Sequence, residues 1–121
     1  RNRNVGRLMA PLMLRTIPRV IVETPFRGDP QRNLDYLKAA LKDCIQRGEA
    51  PFASHALYTQ VLDDKNPTER EVGMRLGFVW MAQADFVAVY TDLGISEGMR
   101  RGIEHAKKLG IPVEYRVLPE W

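Results

Sequence analysis

The residues best suited to chemistry sit where apolar runs break into turns. Asp92, Gly94, Ser96, Glu97, Gly98 and Met99 follow the run Phe86-Val87-Ala88-Val89-Tyr90. Asp92 offers a carboxylate, Gly94 a residue free to adopt φ > 0, and Ser96 an N-cap, so the free N–H groups of a new helix face whatever docks there. Such a helix start takes an anion or a hydroxyl. An earlier turn, Thr24-Pro25-Phe26-Arg27-Gly28-Asp29-Pro30, with Asn33 just beyond it, offers an aromatic ring for stacking and a planar cation for phosphate. A third break, Ser54-His55, supplies a histidine that suits a base, a ligand contact or a capping residue.

These turns need elements to hold them. Phe86 to Tyr90 has the β-branched and aromatic composition of a short buried strand, and Arg19 to Thr24 reads as another. Gln31 to Arg47 is a helix whose Leu34, Leu37, Leu41 and Ile45 are expected to face a sheet, with Gly48 as its stop signal. Ala50 to His55 reads as a second short strand, and Ala56 to Gln60 as a helical turn. Asn66-Pro67-Thr68-Glu69 is a helix start, with an N-cap, a proline at the first helical position and a glutamate that can reach back. That helix runs to about Gln83, with Val72, Leu76, Val79 and Trp80 as its apolar stripe and Gly73 and Gly77 as a flat face for a second helix or subunit. A last helix runs from Ser96 to about Leu109, and Val113 to Leu118 alternates toward a strand with one face exposed.

Strands near 20, 52, 87 and 114 with helices between them predict an α/β, Rossmann-like (flavodoxin-like) parallel sheet of four to five strands, covered by helices on both faces. Right-handed crossovers then bring the loops around Pro25, His55 and Asp92 to one rim, where open α/β sheets hold their ligands.

Composition fits one globular domain: 121 residues, 45% hydrophobic and 27% charged. Residues 1 to 17 read as a basic and apolar arm, and 18 to 121 as a single α/β domain. The net charge of +3 owes much to Arg1, Arg3, Arg7 and Arg15 in that arm. Packing of Leu8, Leu12 and Met13 is favoured over nucleic-acid binding, because no aromatic residues are interleaved for base stacking. No apolar run is long enough for a membrane span, and a lone Cys44 among apolar neighbours reads as a core residue of a cytoplasmic protein. Asp63 and Asp64 lack a third ligand at metal spacing, so solvated loop carboxylates are expected, and no metal or cofactor is called for.

Taken together, Pro25-Phe26 with Gly28-Asp29 and Asn33, Pro51 with His55, Asp85 before a strand, Ser96-x-Gly98-Met99 and Ala106-x-x-Leu109-Gly110-Ile111-Pro112-Val113 resemble the nucleoside 2-deoxyribosyltransferase-like superfamily. The resemblance spans residues 19 to 117 and is nearest to small phage or prophage domains of unassigned function. It implies an N-glycosidic chemistry on deoxynucleosides or their phosphates, with a nucleophilic glutamate eight positions before Gly110. That position is Gly102, which has no side chain to offer. Losing the nucleophile while keeping the turns fits a binding protein; for an enzyme, Glu97 at the helix start, with His55 or Asp92 assisting, is the carboxylate within reach of the same pocket, whereas Glu104 lies about 200° around the helix from Gly102.

The sequence therefore leads to a domain that binds a nucleotide or nucleotide-derived molecule through Thr24, Pro25, Phe26, Arg27, Gly28, Asp29, Asn33, Ser54, His55, Asp92, Gly94, Ser96, Gly98 and Met99. Phe26 would stack on a base or ribose, Arg27 with the Ser96 to Gly98 amides would hold phosphate, and Asp92 would take a ribose hydroxyl. The alternative is an active N-glycosidase or deoxyribosyltransferase using Glu97 or Glu104. In either case the resemblance implies a homodimer or higher homo-oligomer and, for a phage protein, the host cytoplasm.

Overall fold

The structure, a computed structural model, describes residues 16–121. The arm's Leu8, Leu12, Met13 and arginines lie outside the described residues. Four strands form one sheet: β1 (Arg19–Glu23), β2 (Ala50–Phe52), β3 (Phe86–Tyr90) and β4 (Val113–Arg116). Their order is β2-β1-β3-β4, and every pairing is parallel. Between them run α1 (Pro30–Gln46), a short α2 (Ser54–Leu57), a 3₁₀ turn (Tyr58–Gln60), α3 (Pro67–Met81) and α4 (Glu97–Lys108). The expected α/β class, with helices on both sheet faces, is the observed one.

Strand alternation divides the core into two. Val20, Val22, Ala88 and Tyr90 point to the side covered by Tyr36, Leu37, Ala40 and Cys44 of α1. Ile21, Val87 and Val89 point to the other side, against Met81 of α3 and Met99, Ile103 and Ala106 of α4. The chain leaves β1 in one direction to reach β2 and returns to β3 on the opposite flank of β1. A crevice therefore opens beyond the carboxyl ends of β1 and β3, at the reversal of strand order.

Helix orientations differ from the expected stripes. In α1 the buried residues are Asn33, Tyr36, Leu37, Ala40 and Cys44, while Leu34 and Ile45 are more than 40% exposed. Polar anchors set this rotation: Asn33 Nδ2 donates to the carbonyls of Phe26 and Arg27 at 2.9 and 2.7 Å, and Tyr36 donates to Asp92 Oδ2 at 2.6 Å. In α3 the covered side holds Gly77 and Met81, and Val72, Leu76, Val79 and Trp80 are exposed. The Gly73/Gly77 face is not free for a second subunit, because the chain itself occupies it. A Cβ on Gly77 would lie 2.6 Å from Ser54 Oγ, and one on Gly73 would touch Leu62 and Tyr58.

β4 is also turned. Tyr115 and Val117 are exposed, whereas Arg116 is 5% exposed and takes the inward position expected of an apolar residue. Its two terminal nitrogens are engaged, donating to both carboxylate oxygens of Glu49 at 2.8 and 2.7 Å, to Glu114 at 3.0 Å and to the Tyr90 hydroxyl at 3.0 Å, while Nε is buried without a hydrogen-bond partner among the described residues. Such pairing is what makes a buried guanidinium tolerable. Cys44 lies in the same network, and burial pushes its thiol up to about 11, which fits a core residue rather than a nucleophile.

Candidate functional site

The crevice holds a cavity of about 200 Å³, walled by β1, α2, α3 and the start of α4. Each side chain reaches it for a local reason. Ser96 caps α4: its Oγ accepts the Met99 N–H at 3.3 Å, and the free N–H groups of the first turn open at the cavity mouth. Thr24 comes from the loop after β1 and His55 from the first turn of α2, which follows β2, and the two are joined by a 2.8 Å hydrogen bond between Thr24 Oγ1 and His55 Nε2. Phe26 stands edge-on to His55, with ring centroids 6.2 Å apart. The floor is apolar, made by Ile21, Phe78, Met81 and Met99.

Thr24, Phe26, Arg27, Ser54, His55, Ser96, Glu97, Gly98 and Met99 are thus brought together, as the loop geometry predicts. Pro25, Asp29, Asn33 and Gly94, with Arg27 and Ser96, border a shallow depression on the outer side of the same rim. Two of these are occupied with local structure: Asp29 caps α1 by accepting the Arg32 N–H at 3.2 Å, and Asn33 holds the 24–29 loop by its carbonyls. Gly28 and Gly94 sit at φ +108° and +87°, conformations their turns require. Asp92 does not reach the cavity. Its Oδ2 accepts from Tyr36 at 2.6 Å and from the Leu118 N–H at 2.9 Å, so this carboxylate ties β3 to α1 and the C-terminal segment.

Glu97 stands at the mouth with its side chain 73% exposed and paired with Arg100 at 3.7 Å. Glu104 is exposed on the outer side of α4. Neither offers a carboxyl to the interior.

That carboxyl comes from β1. Alternation places Glu23, two residues after Ile21, on the face toward α4, and its side chain lies against the bare backbone of Gly102. A Cβ built on Gly102 would overlap Glu23 Oε2 and come within 2.8 Å of Cδ. Burial alone pushes the Glu23 carboxyl up to about 8, with no hydrogen bond or neighbouring cation acting against it. At neutral pH it is an uncharged acid. Burial likewise holds His55 down at about 4, only partly opposed by Asp64, so the imidazole is neutral too.

Charge is confined to the mouth. Arg27 Nε donates to Asp64 Oδ2 at 3.2 Å, and Arg70 Nε lies 3.7 Å from Asp64 Oδ1. The Arg70 guanidinium also approaches Gly98, where a Cβ would be 3.5 Å from Nη2. Asp64 therefore holds two arginines beside the α4 N-terminus instead of standing free in a solvated loop. Sequence reasoning missed Glu23, Asp64 and Arg70 in these roles. The one available signal was a carboxylate directly after Val20, Ile21 and Val22, a run that the sheet buries on both faces.

Among the described residues no His/Cys/Asp/Glu group is placed to hold a metal ion, and no helix is long and apolar enough to cross a membrane.

The family described as "Domain of unknown function (DUF7768)" matches residues 18–116. The chain belongs to the DUF7768 family. No curated protein matches this DUF7768 chain in sequence. Five solved chains match its fold, one of them the 2-deoxyribosyltransferase from the psychrotolerant bacterium Bacillus psychrosaccharolyticus, described as a biocatalyst for the synthesis of antiviral and antitumoral nucleosides. The two share 16% identity with a TM-score of 0.62, over 82% of the DUF7768 chain and 72% of the transferase.

Proposed function

We propose that the chain binds a nucleotide or nucleotide-derived small molecule in the cavity between β1 and α4. The observation that carries this reading is the separation of charge within one crevice: a neutral interior with Glu23, His55 and Thr24, and a mouth with Arg27, Arg70 and the α4 N-terminus. A base or sugar enters the first, and an anionic phosphate stays at the second. The volume is below the roughly 300–1,000 Å³ of common ligand pockets, which argues for one nucleoside-sized group and against a dinucleotide. Phe26, 39% exposed at the rim, is free to stack on a base. The fold shared with a 2-deoxyribosyltransferase is consistent with a nucleoside-type ligand. In a phage-encoded protein such binding would sequester a signalling nucleotide of the host.

Calorimetric titration of the full chain with a panel of nucleosides and nucleotides tests this. Saturable binding is expected, with phosphate improving affinity and Phe26→Ala weakening it by about 1–3 kcal/mol, the worth of one stacked base. Flat titrations across the panel with a folded sample end the reading.

A second reading, an N-glycosidase or deoxyribosyltransferase, is favoured by the buried carboxyl of Glu23. Glu97 serves it poorly, because an exposed carboxylate paired with Arg100 is tuned for neither acid nor nucleophile.

A further inference from the structure

Four observations converge on Glu23. It stands on a central strand, at the reversal of strand order where the cavity opens. Gly102 opposite it has no side chain, and the Glu23 carboxyl takes up the room that any larger residue there would need. The surrounding walls are Ile21, Met81 and Met99, and among the described residues no cation pairs with it. The remaining ionisable groups that line the cavity come from other elements: His55 from α2, Asp64 and Arg70 at the mouth, Arg27 from the loop after β1, and the largely exposed Glu97 from the start of α4.

We propose that Glu23 is the catalytic acid of this cavity, donating its proton to the leaving nitrogen of a nucleoside N-glycosidic bond. This rests on the nucleoside-type ligand argued above. The C1′–N bond breaks, and its electron pair remains on the base nitrogen, which takes the proton from the Glu23 carboxyl. The sugar carbon is captured by water, whose extra proton passes to solvent, and solvent reprotonates Glu23. Nucleoside and water become free base and sugar, with the enzyme unchanged. Burial keeps the carboxyl protonated at neutral pH, as a donor requires. Anchorage on β1 holds it more rigidly than a loop would.

The experiment uses the full chain, the four common 2′-deoxynucleosides and their 5′-monophosphates. Base release is followed by chromatography from pH 5 to 10, and binding by calorimetry, for wild type and Glu23→Gln. The glutamine variant is uncharged in the same space and keeps the fold. The proposal expects release by wild type that declines as pH rises through about 8, and a 10²- to 10⁴-fold loss in Glu23→Gln with binding retained. Equal release by the variant overturns the role of Glu23 and leaves the ligand reading standing. Release that rises through the same pH range overturns the acid role, since the ionised carboxylate would then be the active form. Binding without release from any substrate also overturns it. Neither binding nor release removes both this inference and the ligand reading beneath it.

Discussion

Glu23→Gln is expected to stabilise the folded chain by on the order of 3 kcal/mol at pH 7, which is unusual for a substitution at a strand end. The cause is desolvation. Below pH 4.5 the folded and unfolded chains both keep the Glu23 proton, and the side chain imposes no electrostatic cost. Between 4.5 and about 8 the unfolded chain releases that proton while the folded chain retains it, so stability falls as pH rises, and above about 8 the deficit levels off. Glutamine has nothing to ionise and escapes the loss. Chemical denaturation of both proteins should give a gap that is small near pH 4 and grows by roughly 1.4 kcal/mol per pH unit until it saturates. A gap that does not change with pH would mean that the carboxyl is solvated.

His55 acts with the opposite sign. Its folded value near 4 lies below the usual 6.5, so the stability it contributes is complete above pH 6.5 and is lost as pH falls toward 4. Between 4.5 and 6.5 the two slopes oppose each other, and these two groups together leave wild-type stability nearly level there. Glu23→Gln removes one slope and should leave stability climbing with pH across that interval.

Arg116→Met is expected to destabilise the protein by about 3–5 kcal/mol. Arg116 lies under the edge of the sheet with its side chain 3% exposed, bonded bidentately to a Glu49 side chain that is itself 10% exposed. Its guanidinium also sits 5.5 Å from the Phe86 ring centroid and 5.8 Å from that of Tyr90. Methionine fills much of the space but leaves Glu49 a buried carboxylate without a partner, and deprives the Tyr90 hydroxyl of a donor. The cost is therefore mostly that of the orphaned charge. The double variant Arg116→Met/Glu49→Leu removes both charges and should recover most of the loss, since apolar side chains often replace a buried ion pair at little cost. Urea unfolding of the two variants checks this. A single-variant loss below about 1 kcal/mol would place the network among ordinary surface pairs.

The parallel sheet was legible because its signals are local: three β-branched residues at Val20, Ile21 and Val22, a similar run at Phe86 to Tyr90, and N-caps at Asn66 and Ser96. Helix rotation was not. Leu34 and Ile45 have the right spacing for a buried stripe, yet Asn33 and Tyr36 turn the helix by bonding to loop carbonyls and Asp92, partners distant or unrecognised in sequence. In α3 the glycines mark the contact side. Gly77 lets the helix settle onto Ser54, so the larger apolar residues turn outward.

The candidate site was legible as a set of loops and not as a set of charges. Thr24, Phe26, His55 and Ser96 meet because each follows a parallel strand, which strand order alone dictates. Asp92 follows a strand too, but its carboxylate is turned to Tyr36. The absence of a carboxylate at Gly102 was visible in sequence. The placing of the Glu23 carboxyl against Gly102 was not, because residues 79 positions apart become neighbours only when β1 is laid beside α4.

The central claim is that a neutral carboxyl on β1 serves a nucleoside-sized ligand from inside the cavity. The most direct measurement is the ¹³C NMR titration of the Glu23 side-chain carboxyl, without and with a saturating 2′-deoxynucleoside 5′-monophosphate. An inflection near pH 8 that shifts when the nucleotide is added is the expected result. An inflection near the ordinary value of 4.5, the same in both samples, would contradict the claim.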